Sequence, residues 1–313
     1  MNTLAHIDLM MLFFFLGVFA SWVRSDLEIP DAISKFLSIF LLLSLGLKGG
    51  HEVRTAQGLE GFGLSLTLGI ASCLLIPAYM IGLLRKRLGS ANACALASCY
   101  GSVSAITFIT AQGFLESAGL TYDGFMVAIM ALMEIPAIIL SIQSYRQRKG
   151  QGAGQLYQLF SAKSVVLLLG GFCIGLLMND ISWKGIGPVI QNSFRGVLAF
   201  FLLDLGIVAQ RRLADAWRYK GLALLIACVL PLLHGSLALV IAHFLGISVG
   251  NSILLAVLVG SASYIAAPAA IRASVPDANP SLYVALPLAL TFPLNILVGI
   301  PYYIALSQSL ASP

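Results

Sequence analysis

The sequence predicts an all-α membrane protein: ten transmembrane helices in a 5+5 inverted repeat, with helices 4 and 9 broken. Three observations predict it. Of 313 residues, 59% are hydrophobic and 10% charged, and mean hydropathy is +0.94. Soluble domains carry about 25% charged residues, so the polar surface that a soluble enzyme needs is missing. Ten apolar runs follow one another, and at roughly 20 residues per crossing they leave no room for a sizeable soluble domain. Finally, short stretches of the first half recur in the same order in the second.

The runs fall near 9–23, 33–48, 62–84, 91–114, 123–145, 163–178, 193–210, 219–245, 251–272 and 282–306. Before the first stands MNTLAHID, which has no Lys or Arg. That is a poor signal-peptide start, so the run is expected to remain as a helix. The longest polar stretch, RQRKGQGAGQLYQLFS at 146–161, is Gly/Gln-rich and reads as a flexible linker. The expected organisation is a five-helix repeat over 1–145, a cytoplasmic linker over 146–162 and an inverted five-helix repeat over 163–313. Placing the first loop in the cytoplasm puts fourteen of the eighteen Lys and Arg on that side. By the positive-inside rule both termini then lie outside a cell (inner) membrane. The same asymmetry explains the basic pI without nucleic acid, since no aromatic residues interleave with the basic clusters. The five cysteines sit in apolar runs without C-x-x-C spacing and read as packing thiols.

The repeat rests on three collinear matches. Residues 40–47 (FLLLSLGL) pair with 200–207 (FFLLDLGI) at an offset of 160, and 92–106 (NACALASCYGSVSAI) with 251–265 (NSILLAVLVGSASYI) at 159. Ile135-Pro136 pairs with Phe292-Pro293 at 157. Five crossings separate each element from its copy, and an odd number turns the copy upside down. Inverted repeats place substrate at their interface, near the bilayer midplane, on discontinuous helices.

The best candidates for such a site are Gly101-Ser102-Val103-Ser104 and Gly260-Ser261-Ala262-Ser263, each in mid-span. Glycine lets the helix break, and the freed amides and hydroxyls then hold a small anion at a helix N-terminus. Small-residue packing between helices is the competing reading, but equivalent positions in an inverted repeat favour a site. Thr107, one turn beyond Ser104, extends the polar face. Glu134 and Asp204 lie inside spans, where a carboxylate defaults to an ion, proton or substrate role. Pro136 frees a backbone carbonyl beside Glu134. His234 and His243 lack partners at metal spacing and read as structural. Gly246-Ile247-Ser248-Val249-Gly250 has the G-x-S-x-G pattern but lies between membrane helices, not at a strand-turn-helix. Gly171-Phe172-Cys173-Ile174-Gly175 reads as a packing face. No nucleotide loop, H-E-x-x-H or nucleophile-base pair is present, so no enzyme and no cofactor is expected.

At these segments the chain resembles the cyanobacterial-type sodium-dependent bicarbonate transporter (SbtA-like) family. The matching stretches are Ile29-Pro30-Asp31-Ala32-Ile33-Ser34, Gly46-Leu47-Lys48-Gly49-Gly50, the Tyr100-to-Ser104 break, Glu134-Ile135-Pro136-Ala137, and Arg272 with Ala278-Asn279-Pro280-Ser281. His234-Gly235 and the loop 246–250 also look alike. The resemblance covers nearly the whole chain and implies a homotrimeric ten-helix carrier that imports bicarbonate with sodium. Some family members are inhibited by a cytoplasmic PII-like protein. Where the family's ninth helix reads Ser-Ser-Asp-Ile-Ser-Gly-Pro-Pro, this chain has Ala262-Ser263-Tyr264-Ile265-Ala266-Ala267-Pro268-Ala269. Ala105-Ile106 replaces a Gly-Ser pair on the fourth helix, and Glu134 stands where the family has Asp. The expected function is secondary transport of a small monoanion, bicarbonate foremost, coupled to sodium or protons. The two Gly-Ser breaks are expected to bind the anion, and Thr107, Glu134, Asp204 and Tyr264 to form the coupling-cation set. A carrier of another small anion and a non-transporting receptor of the same fold are the competing readings.

Overall fold

Apolar side chains on every face of most segments leave the backbone no choice but helix, because only helices satisfy their own peptide groups in lipid. The computed structural model of the protein describes residues 9–55, 60–150, 163–217 and 220–311. Every element among them is helical. The first half contributes α1 (Leu9–Trp22), α2 (Asp31–Thr55), α3 (Phe62–Gly101), α4 (Ala105–Ser117), α5 (Phe125–Met133) and α6 (Pro136–Arg148). The second half contributes α7 (Lys163–Leu177), α8 (Asp180–Trp217), α9 (Lys220–Leu224), α10 (Leu230–Phe244), α11 (Val249–Val259) and α12 (Ala266–Ser274). It closes with α13 (Pro280–Tyr283), α14 (Phe292–Leu294) and α15 (Ile300–Ala311). Among the described residues, six helical stretches are long and apolar enough to cross a membrane, and Leu12–Trp22 and Val249–Val259 are shorter apolar helices.

Several boundaries depart from the hydrophobic runs. The third and fourth runs form one element, bent where Gly89 takes φ 77°. α8 begins at Asp180 rather than near 193 and contains Pro188. The Asn179 side chain accepts from the Ser182 N–H (2.8 Å) at its start, and Trp183 stacks on His51 of α2 at 4.0 Å. α6 continues to Arg148, so the linker expected over 146–162 begins as helix; residues 151–162 lie outside the described residues. Cys73, Cys94 and Cys99 are buried, but Cys173 is exposed and Cys228 half-buried, so packing accounts for three of the five thiols. Cys173 lies about 200° around α7 from Gly171 and Gly175, which face α2.

Two groups of helices result. α1 packs on α8 and α2 on α7, so each of the first two helices pairs with the reciprocal helix of the second half. Backbones touch there. A Cβ on Gly17 would overlap the Leu203 carbonyl, and one on Gly206 the Phe14 carbonyl. Gly50 and Gly175 stand in the same relation to Phe172 and Leu47. This four-helix panel flanks a bundle made by the remaining helices.

Prolines in the bundle remove backbone donors, and its side chains replace them. Pro231 leaves the Ala227 carbonyl without its helical partner, and Thr291 Oγ1 donates to it at 2.8 Å. Tyr100 in turn donates to Thr291 (2.9 Å). Pro287 does the same to the Tyr283 carbonyl, which accepts from Cys99 Sγ (3.3 Å). π-helical turns at Leu225–Val229, Leu286–Thr291 and Asn295–Gly299 accompany these sites.

Ion pairs sort by group. Arg211–Glu28 (3.0 Å) lies within the panel and Lys149–Asp277 (2.9 Å) within the bundle. Lys48 (3.2 Å) and Arg195 (3.0 Å) of the panel both reach Glu116 of the bundle. Outside the spans, the Tyr145 hydroxyl (2.7 Å) and the Lys149 ammonium hold the Asp277 carboxyl below its ordinary range.

Two outcomes follow from this packing. Gly206→Val drives a side chain into the Phe14 carbonyl and is expected to destabilise the protein by about 3 kcal/mol, while Gly82→Val, in open space, leaves the melting temperature unchanged. Thermal melting in detergent reads both. A carboxyl with a depressed folded pKa stabilises above its unfolded pKa, and the contribution is lost as pH falls through the folded pKa. The melting difference between the native chain and Asp277→Asn is therefore expected at pH 7 and to vanish below the carboxylate range.

Candidate functional site

Two unwound segments cross in the middle of the bundle. α3 ends at Gly101 and α4 begins at Ala105, with Ser102 and Ser104 extended (φ −88°, ψ 174° and φ −109°, ψ 109°). Opposite, α11 ends at Val259 and α12 begins at Ala266. The segments satisfy each other. The Ser104 N–H donates to Ser261 Oγ (3.0 Å) and the Ser263 N–H to the Cys99 carbonyl (2.8 Å). Ser102 Oγ donates to the Glu134 carbonyl at the α5–α6 joint (2.8 Å), and Asn295 Nδ2 donates to the Gly260 carbonyl (2.9 Å).

The glycines act differently from the expectation. Neither needs a special φ: a Cβ on Gly101 would strike Pro77 and Ala137, and one on Gly260 would strike Tyr303, Pro231 and Ala256. They are there to let neighbouring elements close on the break.

A cavity of about 30 Å³ lies where the segments meet. Ser104, Glu134, Ser263 and Tyr264 line it, with Ser38 of α2 on the panel side. That volume holds one or two water-sized species. Ser104 Oγ accepts from the N–H (3.2 Å) and the hydroxyl (2.8 Å) of Thr107, capping α4. Ser263 Oγ accepts from the Ala267 N–H (3.1 Å) in the first turn of α12. Two helix N-termini therefore face one cavity, each capped by a serine hydroxyl. The Glu134 side chain is 6% exposed and Tyr264 8%.

Of the twelve residues expected at the site, the two Gly-Ser segments, Thr107, Glu134 and Tyr264 come together here. Val103 lines the cavity, and Ser102, Ser261 and Ala262 are buried in the crossing. Asp204 does not line the cavity. It sits in the panel on α8, where it accepts from the Ser34 hydroxyl of α2, one turn from Ser38. His234 contacts Tyr79 on the bundle's side and takes no part. Asn295 and Ser38 were missed. An asparagine inside an apolar span was a usable signal for the first; nothing marks one serine among many for the second.

A second cavity of about 1030 Å³ opens between panel and bundle. Lys48, Glu116 and Arg195 stand at its exposed rim, and Leu45, Ile109 and Thr110 at its buried end. Leu42 and Ile106 line the small cavity three residues away on the same two helices, about 4.5 Å along each axis. One apolar layer of Leu42, Leu45, Ile106 and Ile109 thus divides the vestibule from the crossing.

Against this geometry, a family model described as the Na+-dependent bicarbonate transporter superfamily matches residues 10–308. The chain belongs to that superfamily. A comparison with curated proteins finds no match. As a transporter-family member with apolar helices throughout, it is a multi-pass membrane protein. Tyr264 and Ile106, two of the positions at which this superfamily member departs from the pattern it resembles, both line the small cavity.

Ile106→Ser places a hydroxyl in the dividing layer. Faster bicarbonate efflux from loaded proteoliposomes is expected; unchanged efflux would place the barrier elsewhere.

Proposed function

We propose that the protein is a secondary active transporter that imports bicarbonate across the inner membrane, coupled to sodium or protons, by alternating access. The observation that carries this reading is the convergence of two helix N-termini and their serine hydroxyls on one cavity beside a buried carboxylate. Amide dipoles and hydroxyl donors favour an anion, and Glu134 provides the group whose charge a coupling cation neutralises. The superfamily supplies bicarbonate and sodium as the transported pair.

The reciprocal pairing of α1 with α8 and of α2 with α7, together with two broken segments at an offset of 159 residues, supports ten crossings in an inverted repeat. The panel then serves as the fixed wall, and the bundle carries the site past it. The charge asymmetry supports an orientation with the rim of the large vestibule outside. A second reading, a different small monoanion, is favoured by the narrowness that Ile106 and Tyr264 give the cavity.

Uptake of labelled bicarbonate into proteoliposomes tests the proposal, with an inward sodium gradient, an equal potassium gradient, and a proton gradient as separate arms. Concentrative uptake in the sodium or the proton arm is expected. Ser104→Ala with Ser263→Ala is expected to lower it at least tenfold, since hydrogen bonds to charged groups contribute about 1.5–3 kcal/mol each. Uptake that survives the double substitution would remove the site assignment, and preferential competition by another monoanion would replace bicarbonate.

A further inference from the structure

The end of the bundle away from the vestibule gathers cations from three helices. Arg85, Lys86 and Arg87 close the first limb of α3, just before Gly89 (φ 77°) turns the chain back toward the crossing. Arg146, Arg148 and Lys149 close α6, and Arg272 lies in the last turn of α12. Contacts across this end hold the three helices together. Asp277, just beyond α12, pairs with Lys149 (2.9 Å), and the Asn279 N–H donates to the Asn92 side chain of α3 (2.8 Å). Asp277 is the one carboxylate among the described residues of this end, and Lys149 already holds it. No ion pair among the described residues engages the other six cations. Residues 151–162, which follow α6, contain no Asp or Glu, so the adjoining chain does not supply the missing charge.

The same end of the panel is balanced. The α1–α2 connection carries Asp26 and Glu28, α2 opens with Asp31, and Arg211 pairs with Glu28 (3.0 Å). The rule that gathers Lys and Arg on one side of a membrane is indifferent to acids. It accounts for the cations of both groups and does not explain why only the panel's are matched.

The position of the bundle's cations tells what they meet. Leu75, Tyr79 and Leu83 follow one another at four-residue spacing on α3, and all three are exposed. Arg87 is the next position of that stripe and Lys86 flanks it, both exposed. In a membrane protein such a stripe faces acyl chains. The cations that end it stand at headgroup level, their aliphatic stems along the chains and their charges outward. The anion at that level is a lipid phosphate.

We infer that the end of the bundle away from the vestibule is a docking surface for anionic lipid headgroups, the phosphodiesters that carry no compensating amine. Arg85, Lys86, Arg87, Arg148 and Arg272 form it, and the panel has no counterpart. The inference does not depend on which solute the crossing takes. Lipid charge thus acts on one of the two groups of helices, and through it on the arrangement between them.

Native mass spectrometry of the purified full-length protein in detergent, titrated with phosphatidylglycerol or phosphatidylcholine, tests this. The first phosphatidylglycerol is expected to bind at least fivefold more tightly than the first phosphatidylcholine. Arg87→Gln is expected to lower that affinity about fivefold, the worth of one cation near a charged lipid surface. Lys35→Gln, an exposed panel cation of the same membrane end, is expected to leave it unchanged. Should Arg87→Gln not fold, Arg272→Gln on a different helix puts the same question. Equal affinity for the two lipids would overturn the inference and leave the cations to a soluble acidic partner. An equal loss in Lys35→Gln would remove the assignment to the bundle. Soluble glycerophosphate that binds as tightly as the lipid would make the surface a free-phosphate site instead.

Discussion

The structure depends on two stretches of backbone leaving their helices at the same place. In an apolar interior an unpaired peptide group costs roughly 2–7 kcal/mol, so an unwound segment there is tenable only beside another that accepts and donates in return. The exchange between Ser104 and Ser261, and between Ser263 and Cys99, meets that condition. Ser102 and Asn295 brace the crossing from outside by bonding the carbonyls of Glu134 and Gly260. Once the segments are held this way, α4 and α12 must start where they do. Their N-termini then face one cavity. The chemistry of the site is thus a by-product of satisfying the backbone.

The same requirement ties the segments of the bundle to one another. Its prolines strip donors from the helices, and Thr291 and Cys99 return them by bonding the Ala227 and Tyr283 carbonyls. Each such bond ties two distant segments of the bundle. Between bundle and panel the bonding differs: apart from apolar contact, the ion pairs cluster at Glu116, on the vestibule rim. A partly exposed pair contributes at most about 1 kcal/mol, so these contacts bias one arrangement without fixing it. Panel helices, joined backbone to backbone at Gly17, Gly206, Gly50 and Gly175, have no comparable freedom among themselves.

How much of this was readable beforehand depended on the kind of signal. The broken segments were visible because glycine and serine interrupt an apolar run twice, at matching positions, and Glu134 because a carboxylate inside a span is rare. Superfamily membership was legible from motifs spread along the chain. The start of α8 was not: Lys184, Gly185, Gly187 and Pro188 spell a loop locally, and only packing of Trp183 on His51 shows otherwise. Sequence also could not tell that Asp204 points into the panel toward Ser34 and not toward the crossing, because periodicity places a residue on a helix face but not against a neighbour. Gly101 and Gly260 were read as conformational residues, while their neighbours show a steric role that a linear sequence does not carry.

On the proposed function, charge balance at the crossing links substrate to coupling. An anion seated among the Ser104, Ser263 and Tyr264 hydroxyls lies in the same small cavity as the Glu134 side chain. Two negative charges a few ångströms apart in a medium of low dielectric repel each other by far more than thermal energy. The donors stabilise the anion but do nothing for a second charge beside it. Loading therefore favours the state in which Glu134 carries a proton or faces a cation, and unloading favours its release. Coupling does not then require a separate device: one carboxylate placed beside an anion site makes the occupancy of each depend on the other.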